Sequence, residues 1–182
     1  RNIYSRGMEA LNANQALFAY RQVLPVDTVL VRAALEALLG IVVMVILMIG
    51  VAFFGFDVLP HNPLQALSAF TGLCLAGLGL GLMLAVGDNL IPAVGKMFNM
   101  SSSPLYVLSG VIFPLSSIPV QYREIVFLNP FAHGVELVRA GYFPYYHVAP
   151  EANLAYLYGF AVVTLFIGLA LQLRYVDSLR AQ

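Results

Sequence analysis

The sequence predicts an all-α integral membrane protein with four transmembrane helices, and two observations favour this class. Hydrophobic residues make up 60% of the 182 residues and charged residues only 10%, whereas soluble domains carry about a quarter charged residues. Four apolar segments each approach the roughly 20 residues that a helix needs to cross a bilayer. Since a backbone in lipid must satisfy its own polar groups, we expect these segments to be helices.

The first predicted element is a cytoplasmic segment, residues 1–32, which contains an amphipathic helix from Met8 to Arg21. Apolar residues recur there at spacings of three and four, as on one helix face, at Ala10, Ala13, Leu17, Tyr20 and Leu24. We expect Pro25 to end this helix and Asp27 to cap the next one. The polar face carries little positive charge, unlike that of a lipid-bound helix, so the pattern favours docking to a protein.

The second predicted unit, residues 33–182, is the transmembrane domain. Its spans are predicted near residues 33–56, 64–87, 101–119 and 153–173, with a hairpin over residues 120–148 before the last span. Glu36 lies one turn into the first span, and an ion pair with Arg32, four residues earlier, suffices to explain this charge. The third span is shorter than the others and is broken by proline.

Small residues in the second span predict a helix-packing surface. Gly77, Gly81 and Ala85 follow one another at a spacing of four residues, which places them on one helix face. Together with Gly79, the glycines suggest a phosphate-binding loop, but no Lys-Ser/Thr follows them and they lie inside a span. We therefore predict that Gly77, Gly81 and Ala85 allow another helix to approach closely.

The distribution of lysine and arginine predicts the orientation in the membrane. An even number of spans places both termini on one side, together with the loop between the second and third spans. That side would hold most of the basic residues, namely Arg1, Arg6, Arg21, Arg32, Lys96, Arg174 and Arg180, and the other side only Arg123 and Arg139. By the positive-inside rule both termini are cytoplasmic, and residues 120–148 face outward.

The outward-facing residues contain two short helical patterns, Tyr122 to Leu128 and Phe131 to Tyr142. The turn dipeptide Asn129-Pro130 separates them. Neither pattern is long enough to cross the bilayer, so we predict a re-entrant hairpin whose backbone is covered by protein or by a water-filled cavity.

The second pattern of this hairpin carries three polar residues in one register. His133, Glu136 and Arg139 follow at i, i+3 and i+6, which favours pairing of their side chains on the helix surface. A metal site is less favoured, because the spacing of the zinc-protease signature is absent.

The chain shows no pattern for catalysis. It contains no Walker motif, and the serines at positions 101–103 and 109 lack a nearby pairing of histidine with an acidic residue. We therefore expect neither an enzyme activity nor a bound cofactor or metal in this chain. The formal net charge of zero also argues against a nucleic-acid partner, which would require a basic surface.

Three stretches of the sequence resemble one family of membrane proteins. They are "NANQALFAYRQVLPVDTVLVRAALE", "LSGVIFPLSSIP" and "LNPFAHGVELVRAGYFPYY", and the resemblance extends over essentially the whole chain. They resemble the inner-membrane permease of Gram-negative capsular polysaccharide exporters, a type 2 ABC exporter permease. Because such permeases have six spans, this chain resembles one without its first two spans, so its four spans would be the third to sixth.

The resemblance implies a function and a set of partners. Two permeases and two ATPase subunits would form a transporter that moves lipid-linked polysaccharide out of the inner membrane, with ATP and Mg²⁺ bound by the ATPase. A periplasmic adaptor of the polysaccharide co-polymerase type and an outer-membrane channel would complete the route. Within the first helix, the residues expected to couple the permease to the ATPase are Leu11, Leu17, Tyr20 and Arg21.

Four aromatic residues are candidates for the substrate pathway under this interpretation. Tyr106 and Phe113 are seven residues apart on the predicted third span and would share a face, while Tyr142 and Tyr145 lie near the outer interface. Aromatic rings can stack on the faces of sugars. Tyrosines at a membrane interface are also common anchors, and the sequence leaves both roles open.

Other functions remain open alternatives. Within the same class, the chain could be the permease of an O-antigen or teichoic acid exporter. From a different class, it could be a membrane scaffold without transport activity or a secretion subunit. A neighbouring gene for an ATPase with Walker motifs would favour an exporter.

Overall fold

The structure is a computed structural model that describes residues 2–19, 22–56 and 58–180. These residues form helices and connecting loops without β-strands, which confirms the all-α class. The α-helices are α1 (Asn2–Ala13), α2 (Pro25–Phe53), α3 (Pro63–Leu90), α4 (Pro92–Leu108), α5 (Val120–Val126), α6 (Pro130–Tyr142), α7 (Leu154–Arg174) and α8 (Val176–Arg180). Two 3₁₀ turns cover Gln15–Ala19 and Leu115–Ser117.

Three helices of the described residues, α2, α3 and α7, are long and apolar enough to cross a membrane. They cover most of the predicted first, second and fourth spans. Helix α2 starts earlier than predicted, because Pro25 occupies its first turn, where a missing N–H costs nothing. The N-cap is Leu24 and not Asp27 as predicted; Asp27 lies at the third helical position, where its carboxylate accepts a 3.0 Å hydrogen bond from the Leu24 backbone N–H. Pro25 therefore begins a helix, rather than ending the previous one.

The predicted third span, residues 101–119, is not a single helix. Helix α4 begins at Pro92 and ends at Leu108, with Pro104 in its interior. Gly110 then takes a φ of 76°, a left-handed conformation that glycine adopts without strain. The chain turns there and reaches the short 3₁₀ segment, so the residues after Leu108 do not continue the helix.

The predicted amphipathic helix from Met8 to Arg21 is also divided. Helix α1 ends at Ala13, and Asn14 donates its side-chain amide to the Ala10 carbonyl at 2.8 Å. That side chain takes an acceptor that a continuing helix would use for its own N–H. A 3₁₀ turn follows, while Tyr20 and Arg21 lie outside the described residues.

Helix α3 lies at the centre of the bundle and packs against α1, α4, α6 and α7. Its glycines face two different neighbours. A Cβ atom added to Gly77 would lie 3.3 Å from Cβ of Ile3 on α1. One added to Gly79 would lie 2.7 Å from the backbone nitrogen of Leu165 on α7. Glycine therefore allows both helices to approach the backbone of α3.

Helix α2 is joined to this bundle mainly through its first turns. Pro25, Thr28, Val29 and Ala33 are its buried residues. The apolar side chains beyond Ala33 are largely exposed, as expected for a helix that lipid or another chain surrounds. Near its start, Arg32 and Glu36 form a 3.2 Å ion pair, which confirms the pairing expected from their spacing.

Candidate functional site

A cavity of about 620 Å³ lies between α1, α3, α4 and α6. Its wall is largely apolar, and α3 contributes one side through residues such as Leu73, Cys74 and Gly77. Helix α4 and the loop after it contribute further lining residues, such as Leu105 and Tyr106. Among the lining side chains, the polar ones are Tyr4, Cys74, Tyr106, Ser109 and Asn129.

The four aromatic residues predicted for the substrate pathway do not come together. Tyr106 lines the cavity, but Phe113 follows the end of α4 and packs beside Leu115 and Phe127 instead. The prediction that Tyr106 and Phe113 share a helix face is therefore wrong, because no helix joins them. Tyr142 and Tyr145 are absent from the cavity wall.

Tyr142 and Tyr145 have different surroundings. The Tyr142 hydroxyl lies 3.5 Å from Sδ of Met44 on α2, which connects the end of α6 to that helix. Tyr145 is 91% exposed and lies in the loop before α7.

Two of the three polar residues predicted to pair on α6 are buried. Glu136 is 0% exposed and His133 is also buried, while the Arg139 side chain is 21% exposed. Glu136 Oε2 lies 4.0 Å from Nη1 of Arg139, at the predicted i, i+3 spacing. Segments distant in the sequence cover this face of α6.

His133 joins the end of α5 to the start of α7. Its Nδ1 accepts a 2.9 Å hydrogen bond from the Asn153 backbone N–H, and its Nε2 lies 2.7 Å from the Phe127 carbonyl. Since an amide N–H can only donate, Nδ1 is the acceptor and Nε2 carries the proton. Burial lowers the pKa of this imidazole, and the bond to Phe127 partly opposes that effect. The neutral ring fits both partners.

Glu136 and Arg139 hold two further segments. The Ala149 backbone N–H donates to Glu136 Oε1 at 3.2 Å. Arg139 donates to the carbonyls of Val111 and Phe113 at 2.9 and 3.0 Å. Together with His133, these side chains attach four chain segments to α6. We call this region, α5, α6 and the loops tied to them, the α5–α6 end of the bundle.

Asn129 begins α6 and was predicted as part of a turn. Its Oδ1 accepts a hydrogen bond from the Phe131 N–H, which caps the helix, and Pro130 follows in the first turn. Its Nδ2 donates to the Leu105 carbonyl of α4 at 3.2 Å. The turn signal in the sequence therefore marks a cap that also contacts another helix.

The residues predicted to couple to an ATPase are only partly at the surface. Leu11 is 1% exposed and packs with Val29 and Leu82 in the bundle core, so the structure corrects its assignment to a docking surface. Leu17 is 43% exposed on the 3₁₀ turn between α1 and α2. The other two, Tyr20 and Arg21, lie outside the described residues.

The predicted stripe of small residues on α3 lies against α1. Gly77, Gly81 and Ala85 are buried. A Cβ atom added to Gly7 of α1 would lie 3.2 Å from Cα of Gly81, so glycine faces glycine at this crossing. Small residues on both helices permit such a close approach.

A second set of glycines was missed by the sequence analysis. Gly72 and Gly79 face α7, while Gly134 and Gly141 of α6 face Leu73 and Ala66 of α3. Each pair has a spacing of seven residues, or nearly two helical turns. That spacing is the signal that could have identified both surfaces.

Comparison with known proteins identifies the family. The ABC-2 type transporter family matches residues 15–143, which is more than half of the chain. The polysialic acid transport protein KpsM of Escherichia coli is 40% identical over 170 residues, covering 93% of this chain and 66% of that protein. The capsule polysaccharide export inner-membrane protein CtrC of Neisseria meningitidis serogroup A is 29% identical over 182 residues, covering 100% of this chain and 68% of CtrC.

A third relative is also a capsule polysaccharide export inner-membrane protein. The capsule polysaccharide export inner-membrane protein BexB of Haemophilus influenzae is 28% identical over 143 residues, covering 79% of this chain and 54% of BexB. The chain thus spans about two thirds of the length of its E. coli relative. Together with three apolar helices long enough to cross a membrane, these matches show that the chain belongs to the ABC-2 type transporter family.

Proposed function

We propose that the chain is part of the permease subunit of an ABC transporter that exports lipid-linked capsular polysaccharide across the bacterial inner membrane. The observation that carries this proposal is the match over 93% of the chain to a protein named for polysialic acid transport. The two other relatives are named for capsule polysaccharide export. As the 182 residues contain no Walker motif, we assign ATP and Mg²⁺ to a separate ATPase subunit.

The proposed assembly contains two permeases and two ATPases. A periplasmic adaptor of the polysaccharide co-polymerase type and an outer-membrane channel would receive the polymer. The cavity beside Tyr106 is our candidate for part of the pathway, because its aromatic wall could contact sugar faces or the lipid anchor. Tyr142 and Tyr145 stay candidates for contacts near the exit, while Phe113 has a packing role that explains its position.

The decisive experiment measures ATP hydrolysis by the full-length permease with its ATPase in liposomes. We expect lipid-linked capsular polysaccharide to stimulate hydrolysis and an O-antigen glycolipid to have little effect. Stimulation by the O-antigen glycolipid alone would favour the runner-up exporter class. If no lipid-linked polymer changed the rate, the proposal would be wrong.

We further propose a topology of four spans with both termini in the cytoplasm. Helices α2, α3 and α7 would provide three spans, and α4 with the loop after it the fourth. Helices α5 and α6 would form a re-entrant hairpin at the outer side. The excess of basic residues on the side of the termini supports this orientation.

Cysteine labelling tests this topology. In a variant with Cys74 replaced by alanine, single cysteines at Ser116 or Tyr145 should react with an impermeant thiol reagent from the periplasm. A cysteine at Asn12, whose side chain is exposed at the end of α1, should not react until the membrane is permeabilised. The reverse labelling pattern would contradict the orientation.

The turn between α1 and α2 is our candidate for contact with the ATPase. It projects an exposed Leu17, while both flanking helices pack on α3 and could transmit its movement. Leu17→Asp should reduce the ATPase that co-purifies with the permease, because it places a charge in an apolar contact. Gln22→Asp, an exposed change nearby, is the matched control. If Leu17→Asp retained the ATPase fully, this turn would not be the contact, and residues 88–100 would become the candidate.

A further inference from the structure

Two features of the segment between Pro104 and Pro114 interrupt its regular helical hydrogen bonding. Pro104 lies inside α4 and has no N–H, so the Met100 carbonyl lacks its helical partner. Gly110 takes a φ of 76° in the middle of the segment. We refer to residues 105–113 as the flap, since they are bounded by proline at both ends.

The flap forms one wall of the cavity. Leu105, Tyr106 and Ser109 of the flap line it, together with Cys74 and Gly77 of α3. Movement of the flap away from α6 would therefore widen the cavity toward the α5–α6 end.

Side chains of α6 and its cap hold the flap through backbone carbonyls. Asn129 Nδ2 donates to the Leu105 carbonyl at 3.2 Å, and Arg139 donates to the carbonyls of Val111 and Phe113 at 2.9 and 3.0 Å. These three bonds hold both ends of the flap. Apolar packing holds the flap mainly at its far end, where Phe113 packs beside Leu115 and Phe127, whereas Leu108 and Ile112 are exposed.

We propose that the flap is a movable wall of the cavity and that Asn129 and Arg139 are the latch that keeps it closed. Release of the latch would let residues 105–113 swing at Pro104 while α6 keeps its ties to α5 and α7. Glu136 would stay beside Arg139 and hold the freed guanidinium near its closed position. This proposal rests on the proposed function only for the identity of the molecule that would pass through the opening.

A change in the reactivity of Cys74 between the wild type and latch variants reports opening of the flap. This side chain lines the same cavity as the flap and is the one cysteine of the chain. The full-length permease, with any other cysteine replaced, would be reconstituted with its ATPase in liposomes. An impermeant maleimide would be added on the side of the α5–α6 end, and the rate of Cys74 modification measured. This readout needs no polysaccharide, so its failure is distinct from failure of the proposed function.

Two variants weaken the latch in different ways. Asn129→Asp keeps an oxygen to cap α6 but removes the donor to Leu105, and Arg139→Gln removes the forked donor to the flap. We expect each to raise the labelling rate, by about thirtyfold for Arg139→Gln, the factor that two lost hydrogen bonds of ordinary strength would give. Arg139→Lys should lie between the wild type and Arg139→Gln.

Arg123→Gln is the matched control. Arg123 also donates to two backbone carbonyls, those of Ser116 and Ile118, but both lie outside the flap. Loss of the Arg123 guanidinium should leave the rate of Cys74 labelling at the wild-type value. An equal acceleration in Arg123→Gln would show general loosening and overturn the latch. Unchanged labelling in Asn129→Asp would overturn it as well, since that variant retains the cap of α6.

Discussion

Replacing Gly79 with leucine should prevent the membrane domain from assembling. A Cβ atom there would already lie 2.7 Å from the backbone nitrogen of Leu165, and this distance allows no relief by rotation of a side chain. Helices α3 and α7 would have to separate along the most extensive contact in the bundle. Overpacking a tight contact costs about 1–3 kcal/mol, and we expect the upper end or more here.

Gly159→Leu provides a control on the partner helix. An added Cβ atom at Gly159 of α7 meets no atom within 4 Å, so leucine there should be tolerated in an apolar environment. The measurement is the fraction of permease that elutes as a single species in detergent, together with its melting temperature. Equal yields and melting temperatures for both variants would show that the close contact between α3 and α7 is not essential.

The glycines show how far sequence patterns can locate helix contacts. The four-residue spacing of Gly77 and Gly81 predicted a close approach, and α1 lies there. The same span holds a second surface, at Gly72 and Gly79, on which α7 packs more tightly. A helix in the centre of a bundle has several buried faces, and a single spacing describes only one of them.

The buried position of Leu11 illustrates a second limit. An apolar stripe on a helix indicates that some surface is covered, but it does not indicate by what. The stripe was predicted to contact a partner protein, but Ala10 of that stripe and Leu11 beside it lie in a core cluster with Val29 and Leu82 of the same chain. That choice depends on contacts between α1, α2 and α3, which are distant in sequence.

The polar face of α6 shows what the spacing of residues in a sequence can predict and what it cannot. The sequence placed His133, Glu136 and Arg139 on one helix face, which the structure retains. It could not place them inside the protein, because their partners are backbone groups at positions such as Val111, Ala149 and Asn153. Backbone groups are the same in every residue and leave no pattern in a sequence.

Replacing Glu136 with leucine should destabilise the α5–α6 end strongly. The carboxylate is 0% exposed, accepts from the Ala149 N–H and lies beside Arg139. Leucine would leave a buried N–H without its acceptor and a partly buried guanidinium without its counter-charge. Removing one partner of a buried ion pair costs about 3–5 kcal/mol, and partial exposure of Arg139 places our expectation near the lower value.

Glu136→Gln separates the two contributions, since an amide oxygen can still accept from Ala149 while the charge is lost. We expect its cost to be about 1–2 kcal/mol, the range for a weakened buried hydrogen bond and charge contact. Amide hydrogen exchange at Ala149 in the detergent-solubilised permease distinguishes loss of the acceptor from loss of the charge. Exchange should accelerate greatly in Glu136→Leu and slightly in Glu136→Gln, because only leucine removes the acceptor. If both variants exchanged at the wild-type rate, the carboxylate would not be what fixes the loop before α7.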